Sequence, residues 1–144
     1  MSGIDLTASP GYLLKVASTA LRAAMEEVLH PLGMTITHYS CLELLAQRPG
    51  LSNSELARGT FVTRQSMNVL LQSLEQQGLV ARAERPASGR ILPTELTGAG
   101  RRQLRAASAA VRAVEDRMVA GLADGDRERL MRLLASCAAA LRAD

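Results

Sequence analysis

The sequence predicts a mainly α-helical chain whose elements run α-α-α-α-β-β-α-α, and three observations carry that prediction. Roughly a third of the 144 residues are Ala or Leu, both strong helix formers. Aromatic residues make up only 2% of the chain, with no Trp, one Phe and two Tyr, which disfavours a β-sandwich or a large barrel. Apolar residues recur three and four apart through most of the chain, and only residues 79–96 read as extended.

The first helix spans about Gly11 to Leu32, with Leu14, Ala17, Leu21, Met25 and Val28 at helical spacing and Pro31 near its end. Residues before it read as a loose arm. A second helix runs from Thr35 or Ile36 to Arg48, with Tyr39, Leu42 and Leu45 inward and Pro49-Gly50 as the stop. Ser52-Asn53-Ser54-Glu55 is a capping box that opens a short third helix ending near Arg58 or Gly59. Thr63 caps a fourth helix that reaches about Gln77 and stops at Gly78, with Met67, Leu70, Leu71 and Leu74 as its inward stripe.

Two short runs, Leu79–Ala83 and Arg90–Leu96, flank Arg85-Pro86-Ala87-Ser88-Gly89 and predict a β-hairpin with an arginine-bearing tip. Thr97 opens a long helix to about Leu122, whose seam of Leu104, Ala107, Val111, Val114 and Met118 resembles a coiled-coil stripe. A last helix, capped near Asp124, points Leu130, Leu133, Leu134, Cys137 and Leu141 inward.

Charge separates the possible partners. The net charge is +3, yet Arg82, Arg85, Arg90, Arg101, Arg102 and Arg105 lie within residues 79–105 against only Glu84 and Glu95. A local positive field of that kind suits a polyanion. Every basic residue but Lys15 is Arg, the side chain best shaped for phosphate and base edges. No leader-like apolar stretch and no run long enough to span a bilayer is present, which predicts a cytoplasmic protein away from the membrane. Two cysteines make neither a disulfide framework nor a zinc cluster, and no cofactor site is expected. A nucleophile elbow, a glycine-rich phosphate loop and a His-Glu-x-x-His run are all missing, so no enzyme is predicted.

A short capped helix, a tight connector and a second amphipathic helix form a helix-turn-helix, followed here by a hairpin. The second helix of such a unit enters the major groove, and an arginine-bearing hairpin reaches a neighbouring minor groove. On the fourth helix, Arg64, Gln65, Ser66 and Asn68 are the predicted base readers, with Thr63 and Gln72 nearer phosphates. Arg85 and Arg90 are the hairpin's contribution. The alternative for the polar face of that helix is ordinary solvation.

Five pieces then occur in order: Leu32-Gly33-Met34-Thr35 leading into Tyr39 and Leu42; Pro49-Gly50-Leu51-Ser52 with Glu55-Leu56-Ala57; Val62-Thr63-Arg64-Gln65-Ser66; Leu74 through Val80; and Leu96-Thr97-Gly98-Ala99-Gly100. In these the chain resembles the MarR-type winged helix-turn-helix transcription regulators over nearly its whole length. The wing departs from the family's usual Asp-x-Arg: Ser88-Gly89-Arg90 keeps the Arg and loses the carboxylate that aims it, shifting weight to Arg85.

The resemblance implies an arm and dimerisation helix over 1–34, a DNA-binding lobe over 35–97 and dimerisation helices over 98–144. It further implies a homodimer on a pseudo-palindromic operator in double-stranded DNA, most often a repressor released by a small ligand or by oxidation. A phenolic or other aromatic effector would sit between the dimerisation region and the DNA-binding lobe. Tyr12, His38 and Tyr39 are the candidates to line that pocket, against a reading as packed residues with satisfied polar tips.

Cys41 and Cys137 read as small buried hydrophobes, since the family's peroxide-sensing Cys near the first helix is absent here. Arg82 has two readings, a bridge to Glu84 or another nearby carboxylate and a phosphate contact, while Arg101, Arg102 and Arg105 read as solvated. The rival function is a redox or metabolite sensor that works through a protein partner instead of DNA.

Overall fold

The computed structural model describes residues 3–82 and 93–142. Within them the predicted order is present: α1 (Pro10–Leu29), α2 (Ile36–Gln47), α3 (Asn53–Thr60), α4 (Arg64–Gln76), β1 (Val80–Arg82), β2 (Thr94–Leu96), α5 (Gly98–Val119) and α6 (Asp126–Arg142). A 3-10 turn at Leu6–Ala8, capped by Asp5, precedes α1. The stretch assigned to the hairpin tip, with Arg85, Ser88 and Arg90, lies outside the described residues.

Each of α2, α3 and α4 begins at a side-chain cap, which satisfies N–H groups that have no partner within the helix. The predicted box at α3 is formed, Ser52 Oγ accepting from Glu55 N at 3.2 Å and Glu55 Oε1 accepting from Ser52 N at 3.1 Å. Thr63 Oγ1 accepts from Ser66 N at 3.0 Å to start α4. At α2, His38 takes the place of the usual Glu: Thr35 Oγ1 accepts from His38 N, and His38 Nδ1 accepts from Thr35 N.

Several boundaries differ from expectation: α5 stops at Val119 and not near Leu122, and two others have a clear cause. The first helix ends at Leu29 and continues as a 3-10 turn over His30–Leu32, because Pro31 has no N–H for the α-helical ladder. The third runs through Gly59 to Thr60. Gly59 is not a stop but a point of close approach, where a Cβ would strike the Leu44 side chain of α2.

β1 and β2 pair antiparallel with Val80 opposite Leu96 and Arg82 opposite Thr94, and Leu51 bridges to Thr94 on the other side. The linker between α2 and α3 is thereby tied to the hairpin. Leu42, Leu45, Leu56, Met67, Leu71 and Leu74 are buried in one core that extends without a break to Leu104, Ala107 and Val111 of α5. The lobe and the long helix thus share their apolar interior.

That continuity corrects the expected use of α5. Leu104, Ala107, Val111 and Val114 are buried within the protomer, chiefly where α5 packs on α1 and α2, so this seam is not available to a partner. Only Met118 stays largely exposed. The expected inward stripe of α6 is the opposite case. No residue of α6 is buried in the protomer, Leu133, Leu134, Cys137 and Leu141 are exposed, and Leu130 is half-buried. The stripe has the right spacing, but among the described residues its own protomer covers only Leu130 of it, and that in part. Among the described residues, no helix is long and apolar enough to cross a membrane.

The start of α5 is the tightest junction. Thr97 Oγ1 donates to the Gly78 carbonyl at 2.6 Å and accepts from Gly100 N at 3.1 Å. A Cβ on Gly100 would fall on the Leu79 carbonyl oxygen, a backbone atom that cannot swing aside. Gly100→Ala is expected to destabilise the fold by about 1–3 kcal/mol or more, as overpacking does. At Gly121, by contrast, an added Cβ meets nothing within 4 Å. Equal melting temperatures for Gly100→Ala and Gly121→Ala would show that the junction is looser than described.

Candidate nucleic-acid interface

α4 is held by its apolar side and presents the rest. Met67, Leu71 and Leu74 are buried, Leu70 is half-buried, and Thr63, Arg64, Gln65, Ser66, Asn68 and Gln72 are all exposed. All six residues predicted for this helix therefore reach solvent, but they do not share one direction. Arg64 Nη1 donates to Ser54 Oγ at 3.4 Å, and Asn68 Oδ1 accepts from Asn53 Nδ2 at 3.3 Å. Both side chains lean on α3, along the flank of the helix. Gln65 and Gln72 lie opposite the buried stripe, at the crest.

The first turn is arranged for an anion. Thr63 Oγ1 accepts from Ser66 N and donates to Ser66 Oγ at 3.0 Å, so these two hydroxyls fix each other. The N–H groups at the start of α4 add the positive end of the helix dipole, a favourable place for phosphate. Arg82 takes the neighbouring-carboxylate alternative: its Nη1 lies 3.8 Å from Glu75 Oε1, pinning β1 to the end of α4. Arg101, Arg102 and Arg105 are exposed on the first turns of α5.

Two residues on this side escaped the sequence reading. Val69 interrupts the polar crest and is 63% exposed. Phe61 is the left-handed residue that ends α3, at φ +62° and 93% exposed. A glycine usually takes such a position, and Gly59 drew the expected helix end two residues early. The signal for Val69 was there: it sits four residues after Gln65 and three before Gln72.

A second feature is a polar cleft of about 280 Å³ between α2 and α5, lined by Tyr39, Glu43, Gln47, Ser108, Val111, Arg112 and Glu115. Glu43 Oε2 accepts from Tyr39 Oη at 2.6 Å and from Ser108 Oγ at 2.8 Å, so one carboxylate oxygen fastens α2 to α5. Burial, and then the Glu43 carboxylate beside it, push the Tyr39 phenol well above its ordinary value. Of the three residues predicted to line a ligand pocket, the structure places only Tyr39 here. His38 serves the α2 cap, with burial lowering its pKa. Tyr12 is exposed on the first turn of α1.

Cys41 fits the expectation of a small buried hydrophobe. Its S–H donates to Met67 Sδ at 4.0 Å, and burial pushes the thiol up to about 12. A thiol kept protonated is a poor nucleophile. Cys137 departs from that expectation, being exposed on α6 of the protomer. Among the described residues, no group of three or more His, Cys, Asp or Glu could hold a metal ion.

Comparison with known proteins agrees with this geometry. Residues 32–91 match the family model described as MarR family. The chain is 42% identical to the HTH-type transcriptional repressor Rv2887 of Mycobacterium tuberculosis over 132 residues, which span 92% of this chain and 95% of the relative. It is similar to the crystal structure of Rv2887 in complex with DNA, at a TM-score of 0.76 and 40% identity, covering 90% of this chain and 98% of that one. The structure of Rv2887 in complex with salicylic acid gives a TM-score of 0.74 and 42% identity, covering 90% and 96%.

Two measurements follow from the site. Phe61 holds a left-handed backbone that disfavours side chains by about 1 kcal/mol, and its ring is almost wholly in solvent. Phe61→Gly is therefore expected to raise the melting temperature; a lower one would mean that the ring packs. For Cys41, the folded thiol titrates above its ordinary 9.0. The unfolded chain thus loses that proton first, and stability present below pH 9 is lost as pH rises toward 12. Denaturant titrations at pH 8 and 10.5 should show that loss, with a shallower slope in Cys41→Ala whatever its baseline stability.

Proposed function

Because the chain belongs to the MarR family of DNA-binding transcription regulators, we propose that it is a repressor that grips a pseudo-palindromic operator as a homodimer and releases it on binding a small aromatic ligand. The observation that carries this reading is α4 itself. It is a capped helix anchored by three buried side chains, with Gln65 and Gln72 at its crest and Arg64 and Asn68 on its flank. Gln and Asn match the adenine edge and Arg matches the guanine edge in the major groove. Thr63 stands where phosphates approach the helix start; Ser66, expected to read a base, is tied to the Thr63 hydroxyl there, and Gln72, expected nearer phosphates, takes a base-reading place at the crest instead. The expected minor-groove contacts of Arg85 and Arg90 fall outside the described residues and enter this reading from the sequence alone.

Dimerisation is supported by the two ends of the chain. No residue of α6 is fully buried in its own protomer, and Leu13, Leu14 and Val16 of α1 are exposed as well. Apolar helices left bare in this way suit a two-fold interface, in which each patch meets its copy. The two copies of α4 then face successive turns of the major groove, about 10 bp apart.

The cleft between α2 and α5 supplies the ligand step. A phenolic hydroxyl finds an acceptor in Glu43, and an aromatic carboxylate finds a cation in Arg112 of the same lining. A ligand donor that takes Glu43 from Tyr39 and Ser108 loosens α2 from α5, and α2 carries α3 and α4 with it. Tilting both recognition helices misaligns both half-sites together, so a modest difference in ligand affinity costs much DNA affinity. Rv2887, with structures in complex with DNA and with salicylic acid, supports a repressor that answers to such a ligand.

The test is selection of bound duplexes from a random DNA pool, followed by titration of the selected operator against salt. Two half-sites one turn apart and a steep negative salt slope are expected, the slope reporting phosphates neutralised. Gln65→Ala should relax preference at one base position by about 1–3 kcal/mol of discrimination. Arg90→Ala should weaken binding evenly across sequences and reduce the salt slope by about one. Failure to enrich any sequence, with a flat salt response, would favour a protein partner over DNA.

A further inference from the structure

Single apolar residues on a surface need no explanation by themselves. Val69 is different because of where it stands: at the centre of the crest of α4, with Gln65 four residues before it and Gln72 three after. Residues at those separations lie side by side on one helix face. The three form a contiguous strip, polar–apolar–polar, opposite the buried Met67, Leu71 and Leu74. Val69 adds nothing to the core, and a β-branched residue is a poorer helix former than Gln. Stability therefore does not account for it.

The surface that such a strip fits can be specified. In the major groove adenine offers N7 and N6 to a Gln amide, whereas thymine carries a C5-methyl group that is matched by an apolar group such as a side-chain methyl. We propose that Val69 is a specificity-determining residue, its methyl groups packed on the C5-methyl of one thymine in each half-site, beside an adenine read by Gln65 or Gln72. The proposal rests on the reading of α4 as the recognition helix.

The test uses the operator obtained by selection and replaces each thymine in turn with deoxyuridine, which removes only the methyl group. For the full-length protein, one thymine position per half-site should lose about fourfold in affinity when changed, as expected for one methyl no longer buried. Val69→Ala should bind the thymine operator about as weakly as the unaltered protein binds the deoxyuridine one, and should be indifferent to the replacement at that position. Its melting temperature should not fall, since Val69 is 63% exposed. A protein indifferent to every replacement, or a Val69→Ala variant that keeps the full sensitivity, overturns the proposal. Failure to select any operator overturns the recognition-helix reading and this proposal together, and it is seen before any substitution is made.

Discussion

The structure depends on the junction where α4 ends and α5 begins. Thr97 donates to the Gly78 carbonyl, accepts from Gly100 N and, through its own N–H, bonds to the Leu79 carbonyl at 3.1 Å. One residue thus fixes the exit of α4, the entry to β1, the end of β2 and the start of α5. Gly100 allows the approach because it has no Cβ to place against the Leu79 carbonyl. Without this knot, the orientation of α4 relative to α5 would rest on the β1–β2 pairing and on side-chain contacts.

A second connection between the same two parts is polar and more easily exchanged. Glu43 accepts from Tyr39 on its own helix and from Ser108 across the cleft, through the same oxygen. Apolar packing of Leu42 and Leu45 with Leu104 and Ala107 holds the bodies together, but it does not select one sliding position as a shared hydrogen bond does. The fold therefore ties its long helix to the preceding elements at two places, by the backbone-anchored hydroxyl of Thr97 and by the solvent-accessible side-chain hydrogen bonds of Glu43.

The exposed face of α4 was legible because the two faces of that helix differ in kind. Met67, Leu70, Leu71 and Leu74 follow the helical period, so the polar residues between them had to face out. The same rule misled at the ends of the chain. α5 and α6 both carry apolar stripes at three-and-four spacing, yet the first is buried within the protomer and the second is bare. Periodicity shows that a face wants cover and is silent on which surface supplies it. Phe61 was hidden for a different reason: its left-handed backbone comes from the geometry of the turn, and nothing about a phenylalanine announces it.

The sequence by itself determined the element order, the caps at Ser52 and Thr63, the outward residues of α4 and the local excess of arginine near the hairpin. All of these are properties of residues within a turn or two of one another. Only the tertiary structure decided that the α5 seam closes on α1 and α2, that Arg82 bridges to Glu75, and that Tyr39 shares Glu43 with Ser108 while His38 caps its helix. Those outcomes join groups from different elements, or choose among partners of equal chemistry. A short-range pattern fixes what a residue can do, and the packing of distant segments fixes which neighbour it meets.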